Sequence, residues 1–139
     1  MYRWVVARLT RWAVLELVRG GSRLPLRLMA PDIRFKFPGT SSFAADTATS
    51  AELTAWIDRF AALRPNYEIL DILVAGPPWN TRVAVRLRDR IGDDYTNDGV
   101  QYLKMRWGKM IHDEVFLDTE RILAWEGRHP QLTLVNRRP

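Results

Sequence analysis

GKMIHDEVFLDT, residues 108–119, is the stretch on which the reading of the whole chain turns. Gly108 is a turn residue, and Asp118-Thr119 has the chemistry of a helix start. Between them lies a segment with the length and apolar content of a β-strand. Three consecutive ionisable residues, His112, Asp113 and Glu114, sit in its middle. Successive strand side chains point to opposite faces. Asp113 therefore goes with Ile111, Val115 and Leu117, and His112 and Glu114 go with Met110 and Phe116. Either Asp113 is a carboxylate inside an apolar pocket, or it is a structural charge paired with a cation.

Working outward, Trp107-Gly108-Lys109 reads as a tight hairpin joining a strand over 95–107 to one over 110–117. Two more strands precede them, 67–75 and 80–91, separated by Gly76-Pro77-Pro78; Val83, Val85 and Leu87 share one face of the second. Residues 2–19 are rich in helix formers and stop at Gly20-Gly21, and a short helix near 22–28 carries the chain back. Residues 31–37 alternate Ile33, Phe35 and Phe37 against polar neighbours, a half-buried strand ended by Pro38-Gly39. A small, polar loop of about a dozen residues follows, a length typical of lids and binding loops. Ser50 caps a helix carrying Leu53, Trp56, Ile57 and Phe60, and Asp118 caps a last one. Helices segregated against an antiparallel sheet make an α+β domain. The 139 residues read as a single domain, with a core over about 2–125 and a polar tail over 126–139.

Hydrophobic residues make up 47% and charged residues 27%, an ordinary globular balance. With no Cys there is no disulfide framework, which fits the cytoplasm. Arg8 and Arg11 interrupt any signal-peptide core, and no run reaches the ~18 apolar residues of a membrane span. The net charge is +5; Arg82, Arg86, Arg88 and Arg90 share one parity, but the arginines spread along the chain, which argues for a solvated face rather than a nucleic-acid surface. Two distant histidines and no carboxylate cluster leave no metal motif, and no glycine-rich phosphate loop or nucleophile elbow points to a cofactor or a serine nucleophile.

Several motifs resemble the SnoaL-like branch of the nuclear transport factor 2-like superfamily: FPGTSSF at 37–43, the helix ELTAWIDRF, YTN at 95–97, WGKM at 107–110 and FLDT at 116–119. The resemblance implies a cone-like α+β fold, shared with ketosteroid isomerase and limonene epoxide hydrolase. In it a strongly curved antiparallel sheet wraps around a long N-terminal helix and shorter helices. It implies a hydrophobic pocket for a small apolar organic ligand, and a cofactor-independent enzyme doing isomerase-, cyclase- or hydrolase-type acid/base chemistry on a polyketide-, terpene- or steroid-like substrate. The same fold also serves non-catalytic ligand binders and protein-interaction modules. Two departures bear on the reaction. Where ketosteroid isomerase has a base before its Pro-x-Gly turn, this chain has Phe37; where epoxide hydrolases and polyketide cyclases have an Asp three residues before the strand-ending Asp, it has Val115.

A regular two-residue hairpin groups Val100, Tyr102, Lys104, Arg106, Ile111, Asp113, Val115 and Leu117 on one face. The resemblance places the Asp113 face inside the cone. Asp113 is then the acid/base group and Tyr102 the oxyanion donor, with Trp12, Phe35, Phe37, Trp56, Tyr67, Val100, Ile111 and Val115 lining the pocket. The rival is an ion pair of Asp113 with Lys104 or Arg106. The other face, with Leu103, Met105, His112, Glu114 and Phe116, is expected to meet a second copy in a homodimer. His112 is expected to bond Glu114 or Gln101, and Asp46 to stay solvated.

Overall fold

The computed structural model describes residues 1–21 and 23–132; the polar tail expected at the C-terminus lies, from 133 on, outside the described residues. The chain runs α1 (Tyr2–Arg19), a 3-10 helix (Leu24–Leu28), β1 (Met29–Phe37), β2 (Ala45–Thr47), α2 (Ser50–Ala61), β3 (Asn66–Ala75), β4 (Thr81–Ile91), β5 (Tyr95–Arg106), β6 (Lys109–Leu117) and α3 (Thr119–Arg128). The six strands form one curved, unclosed sheet in the order β2-β1-β6-β5-β4-β3. All neighbours are antiparallel except β1 and β6, which pair in parallel and set Phe35 beside Asp113. This is the α+β cone that the sequence implies.

Each helix forms for a local reason and buries one stripe. On α1 that stripe is Val6, Thr10, Ala13 and Val14, and Gly20 in the left-handed region (φ 67°) ends the helix, its N–H donating to the Glu16 and Leu17 carbonyls. On α2, Leu53, Trp56 and Phe60 are buried. The cap is Thr49, one residue before the expected Ser50: its hydroxyl oxygen accepts from the Glu52 N–H at 3.2 Å. On α3, Asp118 caps as expected, accepting from the N–H groups of Glu120 and Arg121. The expected loop over 40–50 contains β2, which pairs with the end of β1. The ordered core also passes residue 125: Glu126 is buried and accepts from the Ser42 N–H at 2.9 Å.

The hairpin holds the main departure from expectation. Trp107 and Gly108 both have positive φ (50° and 79°), a two-residue turn whose twist matches the strands. Arg106 pairs with Lys109 and Met105 with Met110, but then Lys104 pairs with His112 and Leu103 with Asp113. Ile111 is the extra residue of a β-bulge, which exchanges the faces of everything beyond it. Inward on β5 stand Tyr95, Asn97, Gly99, Gln101, Leu103 and Met105; Val100, Tyr102, Lys104 and Arg106 stand outward. Leu103 and Met105 are therefore core, at 1% and 5% exposure, and not the outer-face residues that unbroken alternation predicts.

Gly99 sits where β5 and β6 approach inside the cone. A Cβ there would stand 2.7 Å from the Phe116 carbonyl oxygen and 3.0 Å from Leu117 Cβ. Gly99→Ala should cost about 1–3 kcal/mol through forced displacement of β6. A lowered urea midpoint at unchanged slope would show this, and an unchanged midpoint would mean that the ladder yields freely.

Candidate functional site

The concave side of the sheet, α1, α2 and α3 enclose a hollow of about 80 Å³. Its greasy side is a ring cluster. Trp56 stacks on Phe60 (centroids 5.1 Å, planes at 16°) and lies 4.8 Å from Phe35 and 5.2 Å from Phe37. The Trp56 indole N–H donates to the Phe43 carbonyl at 2.8 Å, which satisfies its polar atom and fixes the ring. These rings pack together between β1 and α2.

The polar side belongs to the sheet. Asp113 projects into the hollow from β6 at 5% exposure. The Gln101 amide, next to it on β5, donates to both carboxyl oxygens, at 2.9 and 3.1 Å. Burial raises the Asp113 pKa to about 7, and the Gln101 bond only partly opposes that rise. Lys104 and Arg106 lie on the far face of the sheet, so the ion pair considered from sequence does not form.

A second acid shares the hollow. Asp89 continues the inward row Val83, Val85, Leu87 of β4, is 3% exposed, and is also pushed up to about 7 by burial. Tyr67, directly across from it on β3, lines the same space. Burial first, and then the charges of Asp89, Tyr95 and Asp113, raise the Tyr67 pKa well above that of an ordinary phenol. Its hydroxyl is thus within electrostatic reach of both carboxyls. Asn97, buried beside them, bonds Tyr95 Oη at 3.0 Å and the Asp118 carbonyl at 2.8 Å, which ties the start of α3 to the sheet.

Of the residues expected around the pocket, Asp113, Phe35, Phe37, Trp56, Tyr67 and Val115 line the hollow. Tyr102, Val100, Ile111 and Trp12 do not. The bulge turns Tyr102 and Val100 outward, Ile111 is consumed by the bulge itself, and Trp12 lies 39% exposed, off the buried stripe of α1. Tyr102 packs instead near His112, with Lys104 Nζ 6.0 Å from its ring. His112 bonds Glu114 at 3.1 Å on the outer face. Asp46 pairs with Arg34 at 2.8 Å, away from the hollow, and His129 bonds Asp94. Asp89, Gln101 and the polar role of Tyr67 are what sequence reading missed. For Asp89 the signal was present: it has the parity of three buried apolar residues. Among the described residues no group of three or more His, Asp or Glu is placed to hold a metal ion, and no helix is long and apolar enough to cross a membrane.

No family profile matches the chain, and no curated protein matches it in sequence. Solved structures do match its shape. A steroid delta-isomerase from Pseudomonas aeruginosa superposes with a TM-score of 0.67 at 15% identity, covering 93% of each chain. An NTF2-like protein from Burkholderia xenovorans matches at 0.64 and 17%, covering 85% of this chain and 92% of that one. A de novo designed protein with a curved β-sheet matches at 0.69 and 16%, covering 91% and 96%. The chain therefore has the NTF2-like cone fold. A shape that also arises by design leaves function to be argued from the site.

The two buried acids make a sign-definite prediction. A carboxyl whose pKa is higher folded than unfolded stabilises the fold below its unfolded value near 3.9, and that stability is lost as pH rises through its folded value. Between about pH 4 and 7 the natural chain should lose a few kcal/mol per carboxyl. Asp113→Asn and Asp89→Asn should each flatten the fall of the thermal midpoint over this window and exceed the natural chain at pH 8, whereas Tyr102→Phe should track it throughout. A parallel decline in all four proteins would show that neither acid is titrating in the hollow.

Proposed function

We propose that the hollow binds a small apolar molecule and that Asp113 exchanges a proton with it, in a reaction of isomerase, cyclase or hydrolase type. The observation that carries this reading is a carboxyl directed into an apolar space with, among the described residues, no cation beside it, only a neutral amide. Such a group is poised near neutrality and is available as both base and acid. As a carboxylate, Asp113 takes a proton from a carbon next to a carbonyl, while Gln101 holds its orientation. The Tyr67 hydroxyl donates to the oxygen on which charge develops, the role that sequence reading gave to Tyr102. The returning proton comes from the same carboxyl.

The size of the space narrows the substrate. Drug-sized ligands occupy about 300–1,000 Å³, and benzene fits an engineered cavity of about 150 Å³. A hollow of about 80 Å³ suits a compact molecule rather than the polyketide-, terpene- or steroid-sized body expected from sequence. The packed ring cluster also favours a second reading, a non-catalytic binding or interaction module. Deuterium exchange at the carbons flanking the carbonyl of cyclopentanone, followed by NMR, separates the two. The natural chain should catalyse exchange, and Asp113→Asn should lower the rate by about 10²-fold or more with its fold intact. Equal rates in both proteins would remove Asp113 from any chemistry and leave the module reading.

The same reading includes a homodimer through the outer sheet face. Its support is an apolar patch that the register assembles there: Leu73, Ala84 and Tyr102 lie in one row across β3, β4 and β5, and Val100 and Phe116 are paired beside them. Leu73 and Phe116 are 64% and 51% exposed. Phe116→Asp should sediment as a monomer where the natural chain sediments as a dimer; identical sedimentation of the two would reject this face as the interface.

A further inference from the structure

Asp89 has no task in the proton transfer assigned to Asp113. Asp89 is 3% exposed, and its Oδ1 has no hydrogen-bond partner. Asn97 is its cross-strand neighbour, but directs its amide to Tyr95 and to the Asp118 carbonyl. Tyr67 faces Asp89 from β3, Tyr95 stands on β5, and Trp125 packs 6.0 Å from Tyr95; all four side chains line the hollow. The chain has 21 Lys and Arg, yet among the described residues no Lys, Arg or His lines this space.

A buried polar atom left unsatisfied costs about 1–3 kcal/mol, and a fold that keeps one facing a cavity holds an acceptor ready for a donor from outside. The chemistry of that donor is constrained on three sides. Ring faces attract cations. A carboxylate forms its strongest hydrogen bonds with charged donors. Two acids without a basic partner repel a carboxylate or phosphate.

We propose that Asp89 and the rings of Tyr95 and Trp125 form a recognition site for a small alkylammonium group, so that the molecule handled at Asp113 is a compact carbonyl compound that bears an amine. The inference rests on the reading of the hollow as a ligand site and names the ligand's class. The ammonium donates to Asp89 Oδ1, its alkyl substituents lie against the rings, and the body of the molecule extends towards Asp113. The titratable groups that line the hollow around Asp89 are Tyr67, Tyr95 and Asp113, while Asp118 and the cation Arg121 act on Tyr95 from outside the lining. Since burial raises both acids to about 7, an ammonium that favours the ionised form drives protons off the protein on binding near neutral pH.

Isobutylammonium, isobutanol and isobutyrate share a skeleton and differ in charge. Each is titrated into the full chain by calorimetry at pH 7, in two buffers of different ionisation enthalpy. The amine should bind about tenfold or more tightly than the alcohol, with net proton release, and isobutyrate should be weakest. Asp89→Asn should lose the preference for the amine and keep the affinity for the alcohol. Binding of isobutanol or isobutyrate as tight as that of the amine, or a preference that survives Asp89→Asn, overturns the amine assignment and leaves the hollow a ligand site. Failure of all three probes to bind overturns both readings. The three-probe comparison on the natural chain decides the matter even where the variant does not fold.

Discussion

One extra residue in one ladder decides which polar groups face the hollow of this cone. Were β6 to continue regularly from the Arg106–Lys109 pair, Asp113 would stand opposite Tyr102, on the face that carries Lys104 and Arg106. There it would be an ordinary wet acid. The bulge at Ile111 turns it through the sheet, against Phe35 and Leu103. Loss of water, the raised pKa and the bond to Gln101 all follow from that turn. Bulges near strand ends commonly re-aim a side chain in this way, and here the aim is into the space that the curved sheet encloses.

Most of the architecture was legible in residue patterns. The helix over 2–19, the four strands from 67 onward and the Asp118 cap all follow from periodicity and turn chemistry. β2 was not, because three residues of small side chains carry no period. The face assignment of β5 failed for a nameable reason: parity was propagated through the hairpin as though the ladder were unbroken. The composition of β5 held a warning, since the set with Lys104 and Arg106 is a poor inner face beside one with Leu103 and Met105. Taking β5 and β6 each on its own merits would have required a one-residue slip between them. Asp89 was overlooked for the opposite reason, as an acid at the end of an apolar row read as the row's end rather than its next member. Tyr67 was placed correctly, but as lining rather than as a polar group.

Two demands compete inside the cone. The rings of Phe35, Phe37, Trp56 and Phe60 supply the burial that holds α2 to the sheet, and packing at this density leaves little free volume. The two carboxyls pull the other way, because each is less stable ionised in such a place than in water. The fold keeps both, with the rings gathered between β1 and α2 and the acids on β4 and β6.

The separation of charge has a kinetic corollary. The chain is positive overall while the polar groups of its interior are acidic or neutral. At long range an approaching cation meets repulsion and an anion meets attraction, the reverse of what each would find within. Mobile ions damp the outer field over about 10 Å at 0.1 M ionic strength but hardly reach the buried groups. Added salt would therefore speed the entry of positively charged visitors and leave their escape almost untouched, opposite to the usual ionic-strength dependence of steered association.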